Sequence, residues 1–169
     1  MPRRLLPLVS RHEPPTPYRH QLKSAIGASL AISAIGGLSL ITDLPLLFAP
    51  FGATAVLIFG QAASPLAQPA NVVGGYLLAT LVGIAAMLLF PHIWWITPIA
   101  VGVAIGLMLV LRVTHPPAGA VPIVVFASSI DVLTLLSVVV LGSITLVGIG
   151  LLHHWIPPRQ AYPRPTGQS

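Results

Sequence analysis

The chain has no cysteine and only three acids, Glu13, Asp43 and Asp131, among its 169 residues. Without thiols there is no disulfide framework, no thiolate metal site and no cysteine nucleophile. Charge of either sign is scarce, at 7% of residues where a soluble domain carries about a quarter. Between Lys23 and Arg159 the only formal charges are Asp43, Arg112 and Asp131, which leave uncharged runs 24–42, 44–111, 113–130 and 132–158. The second of these is 68 residues long, and a soluble surface cannot be built from it. The sequence therefore describes an integral membrane protein whose partner is the lipid bilayer. No H-E-x-x-H, G-x-S-x-G or phosphate-loop pattern occurs, and no nucleophile and base stand at catalytic spacing, so an enzyme is not expected and neither is a cofactor.

The cations gather at the two ends: Arg3, Arg4, Arg11, Arg19 and Lys23, then Arg159 and Arg164. This is the positive-inside pattern, which expects both termini in the cytoplasm and, for a small basic chain, a bacterial inner membrane. A nucleic-acid partner would need a folded basic face with aromatic or polar readers, and none is present. Residues 1–21 read as a cytoplasmic arm broken by Pro2, Pro7, Pro14, Pro15 and Pro17, without the pattern of a cleaved signal peptide. Residues 156–169 read as a cytoplasmic tail.

Between them, residues 22–155 form one transmembrane domain. Four segments have the length and apolarity of full crossings: 22–42, 71–90 opened by Asn71 as N-cap, 94–112 with Trp94 and Trp95 as an interfacial belt, and 131–153 capped by Asp131. Small residues recur four apart as Ser29-Ser33-Gly37, Gly75-Ala79-Gly83 and Gly102-Gly106, which suits close helix packing in lipid. The same rows suit packing inside one bundle or between copies, so a homo-oligomer stays open.

Two apolar segments are different. Residues 44–60 and 113–130 carry prolines early, and from Gly52 or Gly119 each leaves only about 10 helical residues, half a bilayer at about 1.5 Å per residue. They resemble each other at an offset of 67, Gly52-Ala53-Thr54 against Gly119-Ala120-Val121. The expected fold is all-α, with four full helices and two Pro/Gly-broken half-helices as an internal repeat, halves about 22–90 and 94–153. Four crossings with two re-entrant segments would give parallel repeats; six crossings would give inverted ones. Arg112 favours six, since only then does it lie on the cytoplasmic side.

Corresponding broken segments in two halves point to a solute site. After His115-Pro116-Pro117 the chain offers Gly119 and Ala120 at a fresh helix N-terminus, and Gly52, Ala53 and Thr54 repeat the arrangement with a hydroxyl. Two such N-termini would bind a small anion through backbone donors, with His115 and Arg112 adding positive charge. Gln68, Asn71 and Tyr76 rank lower as hydrogen-bonding groups, and His153-His154 is expected at the cytoplasmic interface. No carboxylate stands inside the spans, so cation coupling through an acid is not expected and proton coupling would fall to His115.

Thr114-His115-Pro116-Pro117-Ala118-Gly119-Ala120, with Arg112 before it, resembles the signature of the HPP family of integral membrane proteins. Pro50-Phe51-Gly52-Ala53-Thr54-Ala55-Val56-Leu57, Leu66-Ala67-Gln68-Pro69 and Asn71-Val72-Val73-Gly74-Gly75 match it in order, over residues 20–155. The resemblance implies a small helical membrane domain, and some members are linked to nitrite transport. A small inorganic anion, nitrite in particular, is the expected substrate, with a neutral-solute channel or a non-transporting membrane subunit as alternatives. The chain departs from the family at Ala70 and Tyr76, where an arginine and a histidine are usual, and at Val121-Pro122, where a threonine usually follows. Many members also carry a regulatory nucleotide-binding module, which the short stretch after Trp155 is not expected to form.

Overall fold

The computed structural model describes residue 10 and residues 13–165. The cations Arg3, Arg4 and Arg11 of the N-terminal arm lie outside them. Among the described residues the fold is all-helical, with six helices and no strand. Helix α1 spans Tyr18–Thr42, starting within the stretch expected to be the N-terminal arm. Helix α2 spans Ala49–Ala55 and runs on through a π-helical turn at Val56–Gly60. Helix α3 is Pro69–Leu89, α4 is Ile96–Val110, α5 is Val121–Ala127 behind a 3-10 turn at Pro116–Ala120, and α6 is Val132–Trp155.

Three of these, α1, α3 and α6, are long and apolar enough to cross a membrane. The span expected at 94–112 gives the 15-residue α4, about 22 Å against about 30 Å of hydrocarbon. Its ends are used up in turns: Trp94-Trp95 at the start, and at the other end Arg112 in the left-handed region (φ 58°), with the Val113 N–H bonded to the Met108 carbonyl. That closure is the usual one for a helix C-terminus, but with arginine where glycine is favoured. Asn71 is not an N-cap: α3 begins at Pro69, because proline at the first position needs no N–H partner and carries the helical φ. Asp131 does cap α6, its carboxylate accepting the Thr134 N–H at 3.0 Å. The Thr134 hydroxyl and N–H hold that carboxyl below its ordinary range.

Neighbours along each helix fix their relative directions. Leu47 lies beside Gly36 and Phe59 beside Gly27, so α2 runs back along α1. Ala86 packs near Ile96 and Ala100, and Gly75 faces Met108, so α4 is antiparallel to α3. Val113 and His115 sit at Gly74-Gly75 and Val125 at Gly83, so α5 runs parallel to α3. Phe51 sits at Gly142 and Ile58 at Gly150, so α6 runs parallel to α2. The six segments thus alternate in direction. The ends of α1 and α6 meet where Lys23 bonds the carbonyls of Ile156 and Pro158.

The two short apolar segments, Ala49–Gly60 and Pro116–Ala127, start and end 67 positions apart (49 to 116, 60 to 127). The glycines that seat them keep the same interval: Gly75 and Gly83 on α3, Gly142 and Gly150 on α6. A methyl at Gly142 would stand 2.0 Å from the Phe51 ring, and one at Gly75 would stand 2.7 Å from His115 Cβ. The first short segment is therefore seated on α6 and the second on α3. Of the three small-residue rows, only Gly75-Ala79-Gly83 faces the interior. Ser29, Ser33 and Gly37, and Gly102 with Gly106, face outward.

Candidate functional site

The N-terminal parts of the two short segments touch, and where they meet lies a cluster of Thr54, Tyr76 and His115, each fully buried. Thr54 is on the second turn of α2, Tyr76 two turns into α3, and His115 just before Pro116-Pro117. The two prolines keep His115 in extended backbone, which lifts its side chain off the end of α4 and into the bundle. Gly75 lets it approach α3.

Thr54 Oγ1 lies 2.7 Å from the Tyr76 hydroxyl and 2.8 Å from His115 Nε2, and His115 Nδ1 lies 2.8 Å from the Leu66 carbonyl. The carbonyl only accepts, so Nδ1 carries a hydrogen. With a neutral imidazole, Nε2 accepts from the Thr54 hydroxyl, which in turn accepts from Tyr76. Every polar atom of the cluster is then satisfied, as burial demands. The Pro50 carbonyl lies 3.2 Å from Thr54 Oγ1 as a second acceptor. A proton placed on His115 turns Nε2 into a donor and sends the Thr54 hydrogen to Pro50. One hydroxyl therefore has two settings, decided by one imidazole.

Of the residues singled out from the sequence, Thr54 and His115 are brought together. Asn71 is adjacent, its Nδ2 donating to the Thr114 carbonyl at 3.0 Å and fixing the extended stretch before His115. Gly52 and Ala53 are not part of the cluster. They lie on the outward face of α2, with open space beside Gly52. Gly119 and Ala120 are half-buried, and a methyl on Gly119 would meet only Ile105 on α4. Arg112 is exposed, without a side-chain hydrogen bond or ion pair among the described residues. Gln68 serves the loop instead: its Nε2 donates to the Ala62 and Ser64 carbonyls and its Oε1 accepts the Arg164 N–H. Ala70 is exposed, so its departure from the family pattern does not touch the cluster.

Tyr76 deserved a higher rank than its sequence gave it. The signal was its place behind Gly74-Gly75, where the family usually has an ionisable ring. His153-His154 lies in the last turn of α6, where His154 is buried with its Nε2 2.8 Å from the Ile58 carbonyl at the end of the α2 segment. Among the described residues no group of three or more His, Cys, Asp or Glu is placed to hold a metal ion.

A bundle of apolar helices around a buried polar cluster defines a helical integral membrane protein. Its sequence matches the model of the HPP transmembrane region over residues 13–163, nearly all of its length, and the protein belongs to that family. Two transmembrane proteins of Dictyostelium discoideum are similar to it, at 35% identity over 86 residues and 36% over 87, each about half of this chain. Those matches cover 30% and 28% of the two relatives' own length. No solved structure matches the chain.

Proposed function

We propose that this protein transports a small polar solute across its membrane, an inorganic anion in the first instance, by way of the Thr54–Tyr76–His115 cluster. One observation carries the proposal: two proline-led short helices, 67 positions apart, abut at their N-terminal parts around a buried imidazole. Broken helices in corresponding places of two halves are how transporters expose backbone donors to solute at membrane depth. The alternating directions and the shared interval support an inverted repeat with six crossings, two of them made of extended chain plus half-helix. In that arrangement both termini lie on one side, which the clustered cations make the cytoplasmic side of an inner membrane. The cluster has hydroxyls and an imidazole that change donor and acceptor roles together, which suits passing a polar solute better than catalysis.

Nitrite is the substrate to try first, on the family resemblance. A neutral polar solute is the second reading, favoured by the cluster itself: no cationic side chain is among its hydrogen-bond partners. Flux into proteoliposomes tests both. Wild type should carry nitrite above protein-free vesicles and His115→Ala at least tenfold less, while Arg112→Gly should match wild type. Equal flux in wild type, His115→Ala and empty vesicles sinks transport. Flux of an uncharged solute that ignores membrane potential selects the second reading.

A further inference from the structure

Ten residues beyond α6, 156–165, cross one end of the bundle as a strap. Lys23 Nζ on α1 donates to the Ile156 and Pro158 carbonyls at 2.6 and 2.8 Å. The Gln160 N–H donates to the His154 carbonyl, and the Gln160 side chain pairs with His20. The Tyr162 hydroxyl donates to the Ala67 carbonyl at 3.0 Å and the Arg164 N–H to Gln68 Oε1 at 2.7 Å. Tyr162 is the one buried side chain of the strap, set against the His154 ring and admitted by Gly150, where a methyl would come within 3.3 Å of it. Burial pushes its phenol up to about 12, so it remains a donor at ordinary pH.

The strap lies on the loop that also holds the cluster. Adjacent carbonyls of that loop serve cluster and strap: Leu66 takes the His115 hydrogen, and Ala67 takes the Tyr162 hydrogen. A cavity of about 520 Å³ lies between loop and strap, lined by Gly60, Gln61, Ala62, Ala63, Gln160 and Arg164 among others. We propose that residues 156–165 are a latch, which closes this end of the bundle over residues 61–68 and so controls access from that side to Thr54, Tyr76 and His115. A segment held by one buried ring and a few hydrogen bonds is the kind that opens without the bundle unfolding.

The latch takes its purpose from the transport reading, but its test does not depend on flux. The absence of native cysteine permits single-cysteine reporters in the full chain, reconstituted in nanodiscs: A62C under the strap, A118C beside His115, and A104C in the core of α4. With the native strap all three should react slowly with a small charged methanethiosulfonate. Tyr162→Ala and Lys23→Met should each speed A62C and A118C at least tenfold and leave A104C unchanged. Tyr162→Phe keeps the ring in its slot and should give a smaller rise in the same order, which guards against a Tyr162→Ala chain that fails to fold. Acceleration of A62C alone overturns the latch, as does no change at either site. Equal acceleration of A118C and A104C also overturns it, because the strap would then hold the whole bundle together. Absence of flux in wild type sinks the transport reading and leaves these rates standing, so the two failures are distinguishable.

Discussion

Thr54 joins the cluster, being bonded to both Tyr76 and His115. Thr54→Val keeps the shape but leaves a buried phenol and an imidazole nitrogen without that partner, at a cost of about 1–3 kcal/mol for each orphaned group. Tyr76→Phe removes a single donor and leaves the Thr54–His115 bond, so it should cost about 1 kcal/mol. Unfolding in mild detergent measures the difference, and equal losses would mean that Thr54 is not the hub. His115 and Thr54 were legible because an ionisable or hydroxyl side chain beside a proline-broken apolar run has few reasons to be there. Gly52 and Ala53 were misplaced for a phase reason. Read as starting at Gly52, α2 presents them at its open end. It starts at Ala49, three residues earlier, which turns them toward the outside one turn along.

The breaks that open the two short segments were visible as prolines, and the equal length of Ala49–Gly60 and Pro116–Ala127, 12 residues each, follows from equal spacing of proline and the last apolar residue. What the sequence hid was which glycines matter, since a row of small residues reads the same whether a neighbour sits on it or not. Gly142→Ala puts a methyl into the Phe51 ring and should cost about 1–3 kcal/mol through overpacking. Gly37→Ala, with nothing within 4 Å of the added carbon, should be neutral or slightly stabilising through better helix propensity. Thermal unfolding of the two variants side by side is the check, and a Gly142→Ala as stable as Gly37→Ala would contradict the seating of α2 on α6. The end of α4 was hidden too, since a left-handed arginine leaves no mark in composition.

At the scale of the molecule, the choice between four and six crossings was open in the sequence because a half-length apolar run fits a re-entrant loop as well as a crossing. The alternating directions of the six segments bear on it. Cysteines placed at Gln61 and Arg112 should react with an impermeant thiol reagent from the side of the termini, and cysteines at Ile93 and Ile130 only from the opposite side. Labelling of all four from one side would rule out six crossings. The interval of 67 was legible in one short stretch of glycine, alanine and proline; its recurrence in Gly75–Gly142 and Gly83–Gly150 needed the packing to make it visible. That exchange of seats also has a consequence for how the protein is made. The N-terminal half's short helix leaves the ribosome some ninety residues before Gly142, the position that receives its Phe51. Until α6 enters the bilayer, α2 can lie along α1 but lacks the glycines that seat Phe51 and Ile58. Insertion is therefore incomplete until α6 arrives: a nascent chain stopped before it would carry Phe51 and Ile58 without their glycine seats, exposed to lipid or to an insertion chaperone.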